Sequence, residues 1–312
     1  MKGAIPGCQV LVAKNNQIVF NKSYGTIAGD QSPLVTNATL YDLASMTKTS
    51  ATTVAIMKLV EEGKVDIEKT IGDYLPWVVG NAKATIRLKD LLIHEAGLYP
   101  YIKFYEALLN QDGSINSKWI VPVQDATHQL MVTSGKYLAN DWMDSIRMKI
   151  LNSPVTTPGK YVYSDNDFIF LGNIVEQVTG MNLQEYCTKT FYGPMQMRST
   201  GFLPLERADK SNIAASELDN YFRKELIQGA VHDEGASTMG GIAGHAGLFS
   251  NATDIAKLYM MLLNGGQWDG QNYLKPSTIN LFTSYQSPTS RRGLGFDKTA
   301  RDNASSKDPY PS

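Results

Sequence analysis

The chain has 312 residues, of which 43% are hydrophobic and 19% charged, so it has the composition of a globular protein and not of a disordered or collagen-like one. Its 29 Lys and Arg residues nearly balance 30 Asp and Glu residues, which removes the electrostatic case for binding nucleic acid or an anionic membrane surface. No apolar run approaches the roughly 18 residues that a membrane-spanning helix needs.

The first predicted elements are two short β-prone runs, residues 8–14 and 17–24, separated by Asn15-Asn16. Because paired asparagines favour a tight turn, this pattern predicts an antiparallel hairpin. A long helical pattern follows from Ser45 to Glu62, and Gly63 supplies its stop.

The middle of the chain is mostly helical in pattern. Four helices are predicted, at residues 87–95, 139–151, 167–179 and 183–191. Residues 98–138 are irregular and rich in aromatic and polar residues, which is typical of an insertion that shapes a substrate site. After a glycine-rich stretch at 235–247, residues 250–254 open an amphipathic helix over 255–263.

The first candidate for chemistry is Ser45-Met46-Thr47-Lys48, an S-x-x-K tetrad at the start of the long helix. One helical turn separates Ser45 from Lys48, so both side chains leave the same face. The helix N-terminus adds positive potential beside the hydroxyl, and a buried lysine there can lose its proton and accept that of the serine. A serine that caps the helix, followed by a solvent-exposed lysine, would produce the same sequence pattern. The tetrad alone is therefore weak evidence for a catalytic site.

The second candidate is Tyr163-Ser164-Asp165-Asn166, which enters the helix predicted at residue 167. In one frame Tyr163 is the acid/base partner of the serine and Asp165 contacts the substrate. In the other interpretation the motif is a literal S-D-N, in which Ser164 transfers the proton and Asn166 is the binding residue. The combination of S-x-x-K with S-D-N is typical of class A β-lactamases and penicillin-binding proteins. The alternative without catalysis is an ordinary helix N-cap in which the tyrosine has no functional role.

Six segments in a fixed order carry a family resemblance: residues 5–7 (IPG), 43–48 (LASMTK), 91–98 (LLIHEAGL), 158–165 (PGKYVYSD), 244–250 (GHAGLFS) and 293–296 (GLGF). With them the sequence resembles the serine β-lactamase and penicillin-binding-protein superfamily, in its class C-like branch. The resemblance also favours the frame in which Tyr163 is catalytic, since Pro158-Gly159 leads into it and Leu171-Gly172 lies in the helix that follows.

This resemblance implies an α/β (α+β) fold of the β-lactamase/transpeptidase type, with an antiparallel sheet flanked by helices plus a helical region. We expect one domain over 1–312, its α/β part at about 1–48 and 245–312 and its mainly helical part at about 49–244. The implied activity is a serine hydrolase that acts by an acyl-enzyme on an ester, amide or β-lactam carbonyl. Ser45 would be the nucleophile, with neutral Lys48 and Tyr163 as the proton relay.

The sequence departs from the family pattern in two places. The residue after Ser164 is usually Asn and here is Asp165, whose carboxylate can only accept hydrogen bonds, so binding of amide substrates and turnover of penicillins are in doubt. The usual Lys/His-Thr/Ser-Gly motif is not found after Phe296, and His245-Ala246-Gly247 resembles it only in part. We keep Asp165 and His245 as candidate substrate-binding residues and give His94 a buried hydrogen-bonding role, as the resemblance implies.

We expect no cofactor and no metal, because His232-Asp233-Glu234 has no second pair of ligands. The expected partner is a small-molecule or peptidoglycan-like substrate, with no nucleic acid and no membrane span. The resemblance favours a periplasmic or extracytoplasmic site, although no signal peptide is visible. The resemblance implies further C-terminal strands that this sequence does not contain, so we expect a fragment or a partner chain that supplies them. Alternatives to a hydrolase are a penicillin-binding or sensor module that acylates without turnover, and a catalytically inactive fold.

Overall fold

The N-terminal hairpin opens the computed structural model, which describes residues 5–29 and 31–299. Strands β1 (Gly7–Lys14) and β2 (Gln17–Gly25) pair antiparallel. Asn15 and Asn16 have φ values of 51° and 62°, which the tight two-residue turn requires. The predicted hairpin is confirmed.

Helices make up most of the remaining structure, and eight α-helices are found in the described residues. They are α1 (Val54–Glu61), α2 (Leu88–Leu92), α3 (Trp142–Asn152), α4 (Asp165–Thr179), α5 (Leu183–Cys187), α6 (Glu234–Ser237), α7 (Ala252–Leu263) and α8 (Pro276–Thr283). The predicted helices correspond to α1, α2, α3, α4, α5 and α7 with shifted ends, because helix ends are set by local capping contacts. No helix in the described part of the chain is long and apolar enough to cross a membrane.

Short antiparallel strands complete the α+β fold. They are β3 (Tyr41–Asp42), β4 (Ile120–Val121), β5 (Leu130–Thr133), β6 (Lys136–Leu138), β7 (Glu217–Asp219), β8 (Glu225–Ile227), β9 (Phe249–Ser250), β10 (Gln267–Trp268) and β11 (Gln271–Asn272). The stretch 98–138, expected to be irregular, contains a complete three-stranded sheet in the order β4-β6-β5. Strands of two to four residues carry too few side chains for a period-two pattern, which is why the sequence did not reveal them.

The helix that carries the S-x-x-K tetrad begins at Met46 and runs through α1 to Glu61. Its segment Lys48–Thr53 is a π-helical turn, a widened form that is frequent at functional sites. All side chains of this segment except that of Thr49 are buried. This π-helical segment is therefore fixed by packing on most of its circumference.

Strand pairing brings two distant segments to the start of this helix. β3 pairs antiparallel with β9, and the Leu43 N–H donates to the Leu248 carbonyl at 2.9 Å. The glycine-rich segment 244–248 is thereby held beside Ser45. Thr52 donates to the Gly244 carbonyl at 2.6 Å, which fixes the other end of that segment.

Gly244 lies directly on helix α4. A Cβ added to Gly244 would overlap the carbonyl oxygen of Phe168, and one added to Gly172 would come within 3.0 Å of Gly244 Cα. The missing side chains let the two backbones touch, and this contact places residue 245 within reach of Lys48.

We predict that Gly244→Ala lowers the free energy of unfolding by about 3 kcal/mol, because the new methyl group has no space against α4. The matched control is Gly180→Ala. Gly180 has a φ of 69°, and a Cβ added there would have no other atom of the described residues within 4 Å. It should cost only about 1 kcal/mol of backbone strain. Urea unfolding followed by circular dichroism measures both, and equal losses would contradict the packing argument.

Candidate active site

Ser45 lies exposed at a tight turn immediately before the helix begins at Met46. Ala44 has a φ of 45°, a left-handed conformation that is unusual for a residue with a side chain. Asp42 holds the turn, since its carboxylate accepts the N–H of Ala44 at 2.8 Å and that of His232 at 2.6 Å. Burial raises the pKa of Asp42. The turn is thus fixed by a buried carboxyl group and presents the Ser45 hydroxyl outward.

The Lys48 ammonium is bound by three acceptors. Its Nζ lies 3.0 Å from Ser45 Oγ, 2.7 Å from Asp165 Oδ1 and 3.2 Å from the His245 carbonyl oxygen. An ammonium group has three N–H donors, and each has an acceptor here. The Asp165 carboxylate pairs with this group. The structure therefore gives Lys48 a partner that the sequence did not predict, and the neutral Lys48 of the sequence analysis stays a prediction.

Tyr163 stands beside this lysine, with the centre of its ring 4.8 Å from Lys48 Nζ and the side chain about two-fifths exposed. Ser164 Oγ and Asn166 Nδ2 both donate to the Tyr99 carbonyl, at 2.8 and 2.5 Å, and both residues are buried. Of the two frames of the second motif, the one with Tyr163 thus places a hydroxyl-bearing side chain next to the S-x-x-K tetrad. The literal S-D-N frame directs its side chains to the backbone.

Asp165 opens helix α4 and is the carboxylate of the ion pair. Its backbone N–H donates to the Pro100 carbonyl at 2.9 Å, which fixes the start of the helix. The side chain is 19% exposed and that of Lys48 4%. The sequence assigned Asp165 to the substrate, but its main partner in the structure is Lys48, and only the exposed part of the carboxylate could reach a substrate.

His245 enters the site through its backbone. Its carbonyl accepts a hydrogen bond from Lys48, whereas its imidazole is buried and its Nε2 lies 2.9 Å from Asp233 Oδ1. Burial would raise the pKa of Asp233, but the adjacent His245 holds it below its usual range. The imidazole is occupied by Asp233 and only the carbonyl reaches the lysine, and substrate binding by His245 stays a prediction.

Several residues around the site carried no sequence signal. Asp42 holds the nucleophile turn, and Asp167 contacts His94 behind Tyr163. Arg292 is buried, and its charge interacts with the Tyr163 side chain. Among the described residues, none forms a group of three or more His, Cys, Asp or Glu side chains placed to hold a metal ion. Nothing in the local sequence marks these contacts, because each joins segments far apart in the chain.

The groups brought together are a hydroxyl on a tight turn, an ammonium, a carboxylate and a phenol. A serine beside a cation and a second proton-carrying group is an arrangement suited to acyl transfer. The Ser45 oxygen already accepts a hydrogen bond from Lys48, so its own proton is directed elsewhere.

Comparison with known proteins agrees with the geometry. The family model described as Beta-lactamase matches residues 1–305. An Escherichia coli (strain K12) protein named "Putative D-alanyl-D-alanine carboxypeptidase" is 34% identical over 318 residues, which cover 93% of this chain and 68% of that protein.

Two solved structures share the fold. The octameric penicillin-binding protein homologue from Pyrococcus abyssi is 22% identical with a TM-score of 0.66, over 93% of this chain. A class C beta lactamase from Rhodobacter sphaeroides is 18% identical with a TM-score of 0.63, over 93% of this chain and 70% of its own. This chain spans only 60% of the length of the Pyrococcus protein.

We predict strong coupling between Lys48 and Asp165. Lys48→Met leaves a mostly buried carboxylate without its partner, which should destabilise the fold more than removal of both charges in Lys48→Met/Asp165→Leu. A double-mutant cycle from urea unfolding should give a coupling of about 1–3 kcal/mol. Additive losses would show that the two side chains are not paired in solution.

Proposed function

The chain is a serine hydrolase of the beta-lactamase family, and on that basis we propose that it cleaves D-alanyl-D-alanine-type peptides or the corresponding esters through an acyl-enzyme on Ser45. The observation that carries the proposal is the contact between Ser45 Oγ and an ion-paired Lys48, with Tyr163 beside the lysine. The name of the Escherichia coli relative, a D-alanyl-D-alanine carboxypeptidase, supports the substrate class.

In the acylation step, Ser45 Oγ bonds to the substrate carbonyl carbon while its proton passes to the Tyr163 oxygen, which acts as the general base. The cation of Lys48, 4.8 Å from the ring centre, stabilises negative charge on that side chain and on the attacking oxygen. Tyr163 then gives the proton to the leaving amine or alkoxide as the bond to the carbonyl carbon breaks.

In the deacylation step, water replaces the departed group. Tyr163 takes a proton from the water molecule while the water oxygen bonds to the acyl carbon. The proton passes to Ser45 Oγ when the bond between Ser45 and the acyl group breaks. Lys48 stays the partner of Asp165 in both steps. This assigns the base to Tyr163 alone and makes the lysine an electrostatic group.

The Ser45 N–H is the candidate for one half of the oxyanion hole. It lies at the turn before the helix and donates to no acceptor in the described part of the chain. A backbone N–H in this position can bind the carbonyl oxygen as negative charge develops on it. The left-handed Ala44 sets the direction of this N–H group.

We predict that Ser45→Ala abolishes hydrolysis of a chromogenic ester and of an acyl-D-alanyl-D-alanine peptide, with a loss of at least about 10³-fold, because the nucleophile is removed. The matched control is Ser134→Ala, which alters an exposed serine in the turn between β5 and β6 and should change nothing.

Labelling of the wild-type chain with a fluorophosphonate separates the alternatives. Labelling with turnover supports a hydrolase, and stable labelling by penicillin without turnover of any substrate would indicate a sensor module. An unlabelled Ser45, or unchanged hydrolysis by Ser45→Ala, would contradict the proposal.

Asp165 should also set substrate preference. Asp165→Asn supplies an amide N–H that can donate to a substrate carbonyl, as the carboxylate cannot. We predict that the ratio of kcat/KM for a cephalosporin to kcat/KM for an ester rises roughly tenfold, the value of one good hydrogen bond. Steady-state assays with both substrates measure it. A constant or falling ratio would show that this residue does not control recognition of amides.

A further inference from the structure

One buried histidine contacts three consecutive residues of the Tyr163 segment. The His94 carbonyl accepts the Val162 N–H at 2.9 Å, its ring lies 4.5 Å from the Tyr163 ring between centres, and its Nδ1 lies 3.3 Å from the Ser164 N–H nitrogen. The Tyr161 ring packs edge-on at 6.2 Å. No solvent reaches His94. The Tyr163 segment is therefore supported from the protein side by both the backbone and the ring of His94.

The contact between His94 and the Ser164 backbone favours one tautomer of the His94 ring. A backbone N–H can only donate, so the contact with Ser164 requires an unprotonated Nδ1. Asp167 Oδ2 lies 2.7 Å from the same Nδ1. In the tautomer in which Nδ1 accepts from Ser164, the proton between Nδ1 and Asp167 Oδ2 belongs to the Asp167 carboxyl group. The ring proton of His94 is then on Nε2, which has no hydrogen-bond partner among the described residues.

Burial and neighbouring charges favour an uncharged pair. Burial, and then the charge of Asp165, raise the pKa of Asp167 well above its usual range. Burial, and then the charges of Arg292 and Lys48, hold the pKa of His94 well below its usual range. A neutral acid next to a neutral imidazole avoids placing an isolated ion in the interior.

We propose that His94 is the positioning residue for Tyr163, and that Asp167, as a carboxylic acid donating to His94 Nδ1, fixes the tautomer in which it does so. This rests on the proposed role of Tyr163 as the base. A phenol that must reach the Ser45 hydroxyl needs a fixed direction, and its segment is held from behind by the backbone, ring and Nδ1 of one residue. Loss of that support should reduce kcat and leave KM nearly unchanged, because the groups that bind substrate are untouched.

The first test measures the tautomer directly, without activity. The chain has four histidines, so a ¹⁵N-histidine spectrum of the whole protein is simple, and His94→Phe identifies the signals of His94. At neutral pH we expect a neutral ring with the proton on Nε2. A proton on Nδ1, or an imidazolium, would overturn the assignment of the proton to Asp167.

The second test compares two substitutions of Asp167. Asp167→Asn keeps an uncharged donor in place of the acid and should hold kcat for a chromogenic ester within about threefold. Asp167→Leu has similar volume but no donor, and we expect kcat to fall roughly 10- to 100-fold with KM unchanged. Equal losses in both variants would show that a charged carboxylate is needed and would overturn the proposal.

His94→Phe keeps a ring against Tyr163 but has no acceptor for Ser164 or Asp167, so its kcat should fall as in Asp167→Leu. Thermal unfolding checks that each variant is folded. If a variant does not fold, the spectrum of the wild-type protein still determines the tautomer. Fluorophosphonate labelling of wild-type Ser45 tests the proposed function separately. If Ser45 is labelled but the spectrum shows that His94 carries its proton on Nδ1, only this inference is refuted and the proposed function stands.

Discussion

The ammonium group of Lys48 is the point at which three separate parts of the chain meet. Its three acceptors come from the turn before its own helix, the first residue of α4 and the glycine-rich segment before β9. The side chain is almost completely buried, so each N–H needs an acceptor, and the fold must bring all three segments together. Two contacts bring the segments together: the backbone of Gly244 packs directly on α4, and strand β3 pairs with β9.

The same contacts underlie the proposed chemistry. In that proposal Lys48 stays the partner of Asp165, and the proton of Ser45 passes to another group. Tyr163 is the phenol next to the cation, and its segment is held by His94 from the protein side. Two residues with side chains adopt left-handed backbone conformations at this site, Ala44 with a φ of 45° and His94 with 59°. Strained positions of this kind persist where the surrounding structure over-determines them, as it does on both sides of the nucleophile.

Sequence patterns could predict what depends on neighbours in the chain. The Asn15-Asn16 turn, the helix after Ser45 and the spacing of Ser45 and Lys48 are local features, and they were predicted correctly. The partner of Asp165 was not, because an aspartate at a helix start reads the same whether it faces a substrate or a lysine 117 positions away. A backbone carbonyl leaves no trace in the sequence, so the contact between His245 and Lys48 could only be seen in three dimensions.

The central claim is that Tyr163, and not Lys48, takes the proton of Ser45. The most direct measurement is the rate at which a fluorophosphonate labels Ser45 in Tyr163→Phe, compared with wild type under the same conditions. The account predicts a folded protein whose labelling is slower by about 10²- to 10⁴-fold, the usual contribution of a general base. Labelling of Tyr163→Phe at the wild-type rate would contradict it and return the role of base to the lysine.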